Sequence, residues 1–349
     1  MSMPLIDSFG RLHTYLRISV TDRCNLRCRY CMPSEGLQWK KREELLSFEE
    51  IERLAAIFVG MGVNKIRLTG GEPMLRRDFP ELVARLARLR ESGLNKSRLN
   101  KSGLNKSGLN TTGLKDLAMT TNATLLAGQA ALLKEKGLSH INISLDSFKP
   151  ERFEQITRLS CFEAVKAGLH EAIAAGFSKL KLNMVVIAGF NDDEILDFAA
   201  FASEHKINVR FIEFMPFKDN DWQIDKVVTF KEMKTTLDKH FQLSPAKQEA
   251  GDVARDFELA GGGSLSFITS MSESFCSSCN RLRLTSDGSM KSCLFYPAEI
   301  NLRDAMRQNA SDEELRGMIR GCLAGKPEAH PPAEEIAARD NRSMIEIGG

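Results

Sequence analysis

Short runs rich in apolar and β-branched residues alternate along the chain with longer stretches whose apolar positions recur every three to four residues. The short runs are YLRISV (15–20), KIRLT (65–69), DLAMT (116–120), HINISL (140–145), KLKLNMVVI (179–187) and NVRFIEF (208–214), and they predict six strands. The longer stretches predict helices over 47–61, 78–90, 124–136, 161–175 and 192–205, the first opening on the capping-box spacing SFEE. Strand and helix in regular succession produce a parallel sheet, either doubly wound or closed toward a barrel. Right-handed crossovers then place every strand's C-terminal end on one side.

Chemistry should gather on that side. Just after the six strands come TDRCNLRCRYC, GGEP, TNAT, DSF, AGFNDD and MPF, so glycines, cysteines and polar residues share one face. Beyond about residue 220 the alternation loosens: AGGG at 260–263 marks a turn, SLSFITS reads as a strand, and three more cysteines fall in loops. We expect residues 1–220 to form the main unit and residues 221–349 a smaller layer docked on it. One stretch fits neither period. In SGLNKSRLNKSGLNKSGLNTTGLKD the leucines at 94, 99, 104, 109 and 114 recur every five residues, which gives no stripe on a helix and alternates faces on a strand. So few repeats would make about one solenoid coil with no neighbour to bury its leucines. The stretch, at about 92–113, reads as an insertion at the end of the sheet opposite the chemistry, and deleting 92–111 is expected to leave activity intact.

Composition narrows the function. At 349 residues and 42% apolar, the chain can build a large core. Forty-eight Lys and Arg against 46 Asp and Glu leave a net charge of +2, which gives no electrostatic case for nucleic acid or an anionic membrane surface. No apolar run suits a signal peptide or a membrane span, so a cytoplasmic protein is expected. Eight cysteines are too few for a disulfide scaffold in so long a chain, and six fall in two groups, Cys24, Cys28, Cys31 and Cys276, Cys279, Cys293.

The first group, C-x3-C-x2-C, has no fourth Cys or His close by and fits closed tetrahedral zinc poorly. An iron-sulfur cube tolerates a missing ligand, and an iron without a protein ligand is a Lewis acid open to substrate or cofactor. With GGEP one strand later, the chain resembles the radical S-adenosylmethionine superfamily. The resemblance implies a partial (βα)6 barrel of the TIM type, here α/β with a small C-terminal α+β extension. It also implies a 4Fe-4S cluster whose open iron binds S-adenosyl-L-methionine and yields a 5'-deoxyadenosyl radical. Tyr30, the GGEP backbone at Gly71, Ser144 and Met215 would contact that cofactor; without the resemblance Ser144 and Met215 read equally as strand-end packing.

The second group, C-x2-C-x13-C, again offers three ligands, and a zinc knuckle with a remote fourth ligand is the alternative. Arg281 and Arg283 alternate beside it on a short predicted strand, which puts two forked guanidiniums on one face and suits phosphate oxygens. With the first motif, this combination resembles the GTP 3',8-cyclase family, lyases at the first step of molybdenum cofactor biosynthesis. The likeness runs from LRISVTDRCNLRCRYCMP through IRLTGGEPMLRRD, AMTTN, INISLD, RFIEFMPF and ITSMSESFCSSCNRLRL to the final GG.

That resemblance implies a second 4Fe-4S cluster facing the guanine of GTP. Arg17, Arg67, Thr120, Lys181 and the Arg281, Leu282, Arg283 segment would hold the rest of the nucleotide. Arg17 is also a catalytic candidate, and the Gly348 and Gly349 tail would be flexible and reach into the site. The product it implies is (8S)-3',8-cyclo-7,8-dihydroguanosine 5'-triphosphate. The partners implied are an electron donor such as flavodoxin, a cyclic pyranopterin monophosphate synthase that takes the product, and a second copy in a homodimer. By residues alone Arg17, Arg67 and Lys181 could instead be solvated or ion-paired strand charges. Ala123 stands where the family has glycine and would be strained if that turn needs positive φ. Cys161 and Cys322 match no motif and read as buried thiols. Two other functions fit part of the pattern: a peptide-modifying radical enzyme, whose extensions carry more cysteines, and an iron-sulfur redox carrier, which would need neither GGEP nor the basic residues.

Overall fold

A computed structural model of the chain describes residues 4–33, 36–90, 113–248, 251–339 and 342–348. Six strands, β1 (Tyr15–Ser19), β2 (Lys65–Thr69), β3 (Asp116–Thr121), β4 (His140–Ser144), β5 (Lys179–Val186) and β6 (Asn208–Glu213), pair in chain order, all parallel. The C-terminal part then extends both edges of this array. β7 (Leu243–Pro245) and β8 (Arg255–Leu259) lie outside β9 (Ser264–Ile268), which pairs in parallel with β6. At the other edge β10 (Arg281–Leu284) runs parallel to β1, followed by antiparallel β11 (Ser289–Lys291) and β12 (Ile300–Asn301). The result is one mixed twelve-stranded sheet.

Helices α1 (Phe48–Gly60), α2 (Phe79–Ala87), α3 (Ala130–Glu135), α4 (Pro150–Thr157), α5 (Phe162–Ala174) and α6 (Ile195–His205) fall between the parallel strands. α7 (Phe230–Asp238) follows β6, and α8 (Leu302–Arg307), α9 (Asp312–Ala324), α10 (Ala333–Ala338) and α11 (Met344–Ile347) close the chain. The sequence dictates α1 closely: Ser47 Oγ accepts from Glu50 N–H, Glu50 returns a bond to Ser47 N–H, and Ile51, Leu54, Ala55 and Phe58 form the buried stripe.

Strand alternation separates two faces. Leu16, Ile18, Leu68, Leu117, Ile141, Leu182 and Phe211 point outward into the core beneath the helices. The alternate positions Arg17, Thr120, Asn142, Asn183 and Arg210 point inward. At about 25 cal/mol per Å² the outer face supplies the folding drive, which leaves the inner face free for polar residues.

One predicted helix is shorter than expected, and one helix was not predicted. Where 124–136 was expected, only Ala130–Glu135 is helical. Ala123 sits at φ 62° and Gly128 at φ 79°, and Asn122 Oδ1 accepts from both Thr124 N–H and Oγ–H, so this stretch is held as turns. The positive φ of Ala123 is the strain expected of alanine there, roughly 1–2 kcal/mol against glycine. α4 was not foreseen; its buried positions, Phe153, Ile156 and Thr157, are too few to give a periodic signal.

The pentapeptide insertion lies outside the described residues, but its flanks meet. Leu114 N–H donates to Leu89 O at 3.2 Å, and Gly113 lies so close to Arg90 O that an added Cβ would stand 2.8 Å from it. A chain lacking 92–111 is therefore expected to fold with an undiminished melting temperature. A fall of more than about 5 °C, over 1 kcal/mol in a chain this long, would make the segment part of the fold's support.

Candidate functional site

One cavity at the inner face is lined by both cysteine groups, the GGEP turn and the inward strand residues. All eight cysteines are free thiols. The first group sits on the loop after β1. Arg27 N–H and Arg29 N–H donate to the carbonyls of Thr157 and Ile156, both at 3.0 Å, so the end of α4 pins this loop. On its other side Gly71 is pressed against it: a Cβ there would come 2.2 Å from Arg23 O and 2.9 Å from Cys24 N.

GGEP and TTN act as one device. Glu72, fully buried, accepts from Thr121 Oγ1 at 2.9 Å, Asn122 N–H at 2.8 Å and Met74 N–H at 3.0 Å; burial outweighs these bonds and pushes its carboxyl up to about 7. Asn122 Nδ2 in turn donates to Asn25 Oδ1 at 2.9 Å and reaches Cys24 Sγ at 3.8 Å, while Leu26 N–H meets that sulfur at 3.4 Å.

The donor set fits a metal-sulfur centre. Burial pushes the Cys24 thiol up to about 11 and raises Cys28 and Cys31 as well. A coordinating metal reverses that push by taking the thiol as thiolate, and N–H groups aimed at sulfur stabilise the charge. Among the described residues no three His, Cys, Asp or Glu side chains are gathered for a single metal ion.

The second group lies beside β10. A short 3-10 turn carries Cys276, whose carbonyl accepts from Cys279 N–H at 3.1 Å and from Arg11 Nη1 at 2.8 Å. Cys293 follows Ser292, whose N–H and Oγ–H both donate to Glu299 Oε1, at 3.1 and 2.5 Å. The register of β10 on β1 sets Arg283 beside Arg17 and Arg281 beside Tyr15, with the Arg281 guanidinium over the Tyr15 ring at 5.5 Å.

These inward cations repel one another. Burial, then the neighbouring guanidiniums, brings Arg210 and Arg283 down to about 10 and lowers Arg17 too. Arg210 Nε, Arg281 Nε, Arg283 Nη1, Asn183 Oδ1 and Ser270 Oγ are buried without a hydrogen-bond partner. The four donors among these atoms call for a ligand with acceptors and negative charge, while Asn183 Oδ1 is an unpaired acceptor.

Of the residues expected from sequence, the six cysteines, Arg17, Tyr30, Gly71, Thr120, Ser144, Met215, Arg281 and Arg283 line the cavity. Tyr30 O–H donates to Asp146 Oδ2 at 2.5 Å. Three expected side chains lie off the lining. Arg67 sits behind it, donating to Tyr15 Oη at 2.6 Å and Met119 O at 3.0 Å. Lys181 is held down to about 7 by burial and then by repulsion from Arg210. Leu282 faces outward and belongs to the core. The cavity also takes in Asn142, Asp146, Asn183, Arg210 and His330, which the sequence reading did not single out. For Asn142, Asn183 and Arg210 a signal existed, since each stands two residues from another lining position on a predicted strand. Cys322 is buried and Cys161 half-buried.

The C-terminal tail docks here. Met344 and Ile345 line the cavity, and Thr69 Oγ1 donates to Gly348 O at 3.2 Å. Gly348 has φ 84°, and a Cβ would stand 2.5 Å from Ser19 Cβ, so only glycine fits. Gly349 lies outside the described residues.

Fold and site together define a radical S-adenosylmethionine enzyme. Residues 18–202 match the radical SAM superfamily and residues 207–332 match Molybdenum Cofactor Synthesis C. The fold is also that of Streptococcus suis SuiB solved with S-adenosylmethionine, at TM-score 0.53 and 16% identity over 91% of this chain and 68% of that one. In sequence the chain is 47% identical to the mitochondrial GTP 3',8-cyclase of Arabidopsis thaliana, over 99% of this chain and 83% of that protein. It is 40% identical to the GTP 3',8-cyclase of Syntrophomonas wolfei, over 99% and 100%. It is 45% identical to molybdenum cofactor biosynthesis protein 1 of Homo sapiens, spanning 51% of that longer protein. The chain belongs to the GTP 3',8-cyclase family, the radical SAM lyases of the first step of molybdenum cofactor biosynthesis.

The contact at Gly71 gives a test of the first group. Gly71→Ala is expected to displace the Cys24 loop and lower the iron bound after anaerobic reconstitution, since the three thiols of that loop lose their seat. Undiminished iron would show that the loop can yield.

Proposed function

We propose that this chain converts GTP to (8S)-3',8-cyclo-7,8-dihydroguanosine 5'-triphosphate with two 4Fe-4S clusters and S-adenosyl-L-methionine. The observation that carries the reading is the set of buried, unpartnered guanidinium donors between two cysteine groups on one inner face. A triphosphate supplies the acceptors and charge these groups lack.

In this reading Cys24, Cys28 and Cys31 hold the first cluster and Cys276, Cys279 and Cys293 the second. S-adenosylmethionine held at the first would supply the radical chemistry, directed at ribose C3'. The chain's own residues position and shield. Tyr30, fixed by Asp146, lies along the adenine; the Gly71 backbone receives the methionyl ammonium; Ser144 and Met215 complete that wall. Arg281 and Arg283 grip phosphate oxygens, with Thr120 and Arg17 beside them. Arg67 acts from behind by setting Tyr15 and Thr120, Lys181 adds positive field from below the lining, and Leu282 contributes only backbone. Held this way, the ribose and base of the nucleotide would be fixed relative to each other, with the Gly348 tail bonded to Thr69 in the cavity wall. Arg17, nearest to Arg283 on the adjoining strand, is the residue placed to aid closure or the reduction that follows.

The six parallel strands with their helices form a partial (βα)6 barrel in this proposal, residues 1–220, and residues 221–349 the extension that carries the second cluster. Among the described residues no helix is long and apolar enough to cross a membrane, and we place the enzyme in the cytoplasm. An electron donor such as flavodoxin, a homodimer partner and a cyclic pyranopterin monophosphate synthase that takes the product complete the proposal.

The test is anaerobic reconstitution with iron and sulfide counted, then reduction with S-adenosylmethionine, with and without GTP. We expect about eight irons per chain and 5'-deoxyadenosine that forms only with GTP. Formation independent of nucleotide, or about four irons, would sink the reading.

A further inference from the structure

The loop that carries the first cysteine group has two sides. Cys24, Leu26, Cys28, Tyr30, Cys31 and Met32 line the cavity. Arg23, Arg27 and Arg29 do not, and all three are exposed. Among the described residues none of these guanidiniums is paired with a carboxylate, and the loop's own acid, Asp22, is buried and accepts from Lys40 N–H at 2.8 Å. The matching stretch of the second group, MSESFCSSCN (271–280), holds one glutamate and no Lys or Arg. Unneutralised positive charge therefore marks the outer side of one cysteine group and not of the other.

Exposed apolar side chains ring the same loop. Trp39, Leu75, Leu125 and Leu159 are four of the eight large apolar side chains exposed among the described residues. Each stands within three residues of a group bonded to the loop: Lys40 N–H donates to Asp22, Glu72 N–H to Arg23 O at 2.8 Å, Asn25 Nδ2 to Thr124 Oγ1 at 2.8 Å and Arg27 N–H to Thr157 O at 3.0 Å. Apolar residues gathered with arginines on a polar surface are the composition of a protein-binding face.

We propose that this face docks an acidic protein that delivers one electron to the cluster of the first cysteine group. This rests on the reading of Cys24, Cys28 and Cys31 as the seat of the cluster that takes up the electron. One electron leaves the carrier's reduced flavin or iron-sulfur group and enters the cluster; the carrier is oxidised, the cluster is reduced, no bond forms and no proton moves. Arg27 adjoins Cys28, with about 3.8 Å between their Cα atoms, so a carrier resting on these arginines has only the loop between itself and its acceptor. An acidic surface complements the three cations and is steered toward them. A second copy of this chain, at a net charge of +2, brings no excess of negative charge.

The experiment uses the reconstituted enzyme and reads the rate of 5'-deoxyadenosine formation with S-adenosylmethionine and GTP in excess. The limiting reductant is either reduced flavodoxin or photoreduced 5-deazariboflavin, which is small and uncharged. Arg23→Gln, Arg27→Gln and Arg29→Gln combined are expected to lower the flavodoxin-driven rate about tenfold at low salt and the deazaflavin-driven rate by less than about twofold. Iron content and melting temperature should be preserved. Added salt should slow the native chain with flavodoxin and leave the variant unchanged. Arg23→Lys, Arg27→Lys and Arg29→Lys combined keep the charges and should hold the flavodoxin-driven rate within about threefold of native. A flavodoxin-driven rate that survives in the glutamine variant, a lysine variant that loses as much, or an equal loss with both reductants overturns the proposal. Survival of that rate together with a shift from dimer to monomer in sedimentation would give the face to a second copy instead. A native chain that forms no 5'-deoxyadenosine with either reductant would remove the reading of the site on which the proposal rests.

Discussion

Replacing Arg281 and Arg283 together with alanine is expected to weaken GTP binding by roughly two to four orders of magnitude, with S-adenosylmethionine affinity changed by less than about twofold. The two residues share one face of β10 and line the cavity, and each has a buried nitrogen without a partner. A hydrogen bond to a charged group contributes about 1.5–3 kcal/mol net, so two such groups account for about 3–6 kcal/mol. The double substitution also relieves mutual repulsion among Arg17, Arg210 and the pair, so the chain without nucleotide should be no less stable. Loss of affinity with retained stability separates a binding role from a structural one. GTP affinity that stays unchanged in anaerobic calorimetry would end the assignment.

Glu213→Ala is expected to destabilise the chain by several kcal/mol, a drop in melting temperature of roughly 10 °C. Glu213 ends β6, is fully buried, and accepts from Phe230 N–H at 2.9 Å, Met271 N–H at 2.8 Å, Ser272 N–H at 2.9 Å and the Ser272 hydroxyl. One carboxylate thus joins the start of α7 to the segment that leads into Cys276. Alanine strands three backbone N–H groups, each at about 1–3 kcal/mol, against a total stability of only about 5–15 kcal/mol. Because the segment it releases leads into the second cysteine group, the iron bound after reconstitution should fall as well. A variant melting within about 2 °C of the native chain, under 1 kcal/mol, would show that water replaces the carboxylate.

The inner and outer faces of the sheet were legible because strand alternation is a two-residue code: once Arg17 and Arg283 are placed inward, Leu16 and Leu282 must face the core. The same code, not applied when Leu282 was counted among the nucleotide contacts, puts it off the lining although its neighbours are on it, and it would have found Arg210 and Asn183. Cysteine spacing and GGEP were legible because loop chemistry is local in sequence. What was not legible depends on contacts between distant segments. α4 has too few apolar positions to announce itself, yet it holds the cysteine loop. Gly128 and Ala123 shorten α3 through backbone angles that residue type suggests only for the glycine. His330 lies in a segment whose place at the cavity is set by Arg11, more than three hundred residues earlier.

The sheet's two outer seams have a consequence for synthesis. β1 and β6 are interior strands only because β10 and β9, from far along the chain, cover them. When residue 220 leaves the ribosome, both flanks still show bare N–H and C=O groups, the kind of template on which nascent chains stick to one another. At about 5–20 residues per second, residues 221–284 take roughly 3–13 s to arrive. For that interval the unfinished enzyme depends on chaperones or dilution to stay apart from its neighbours, and a message cut short before β10 leaves it permanently in that state.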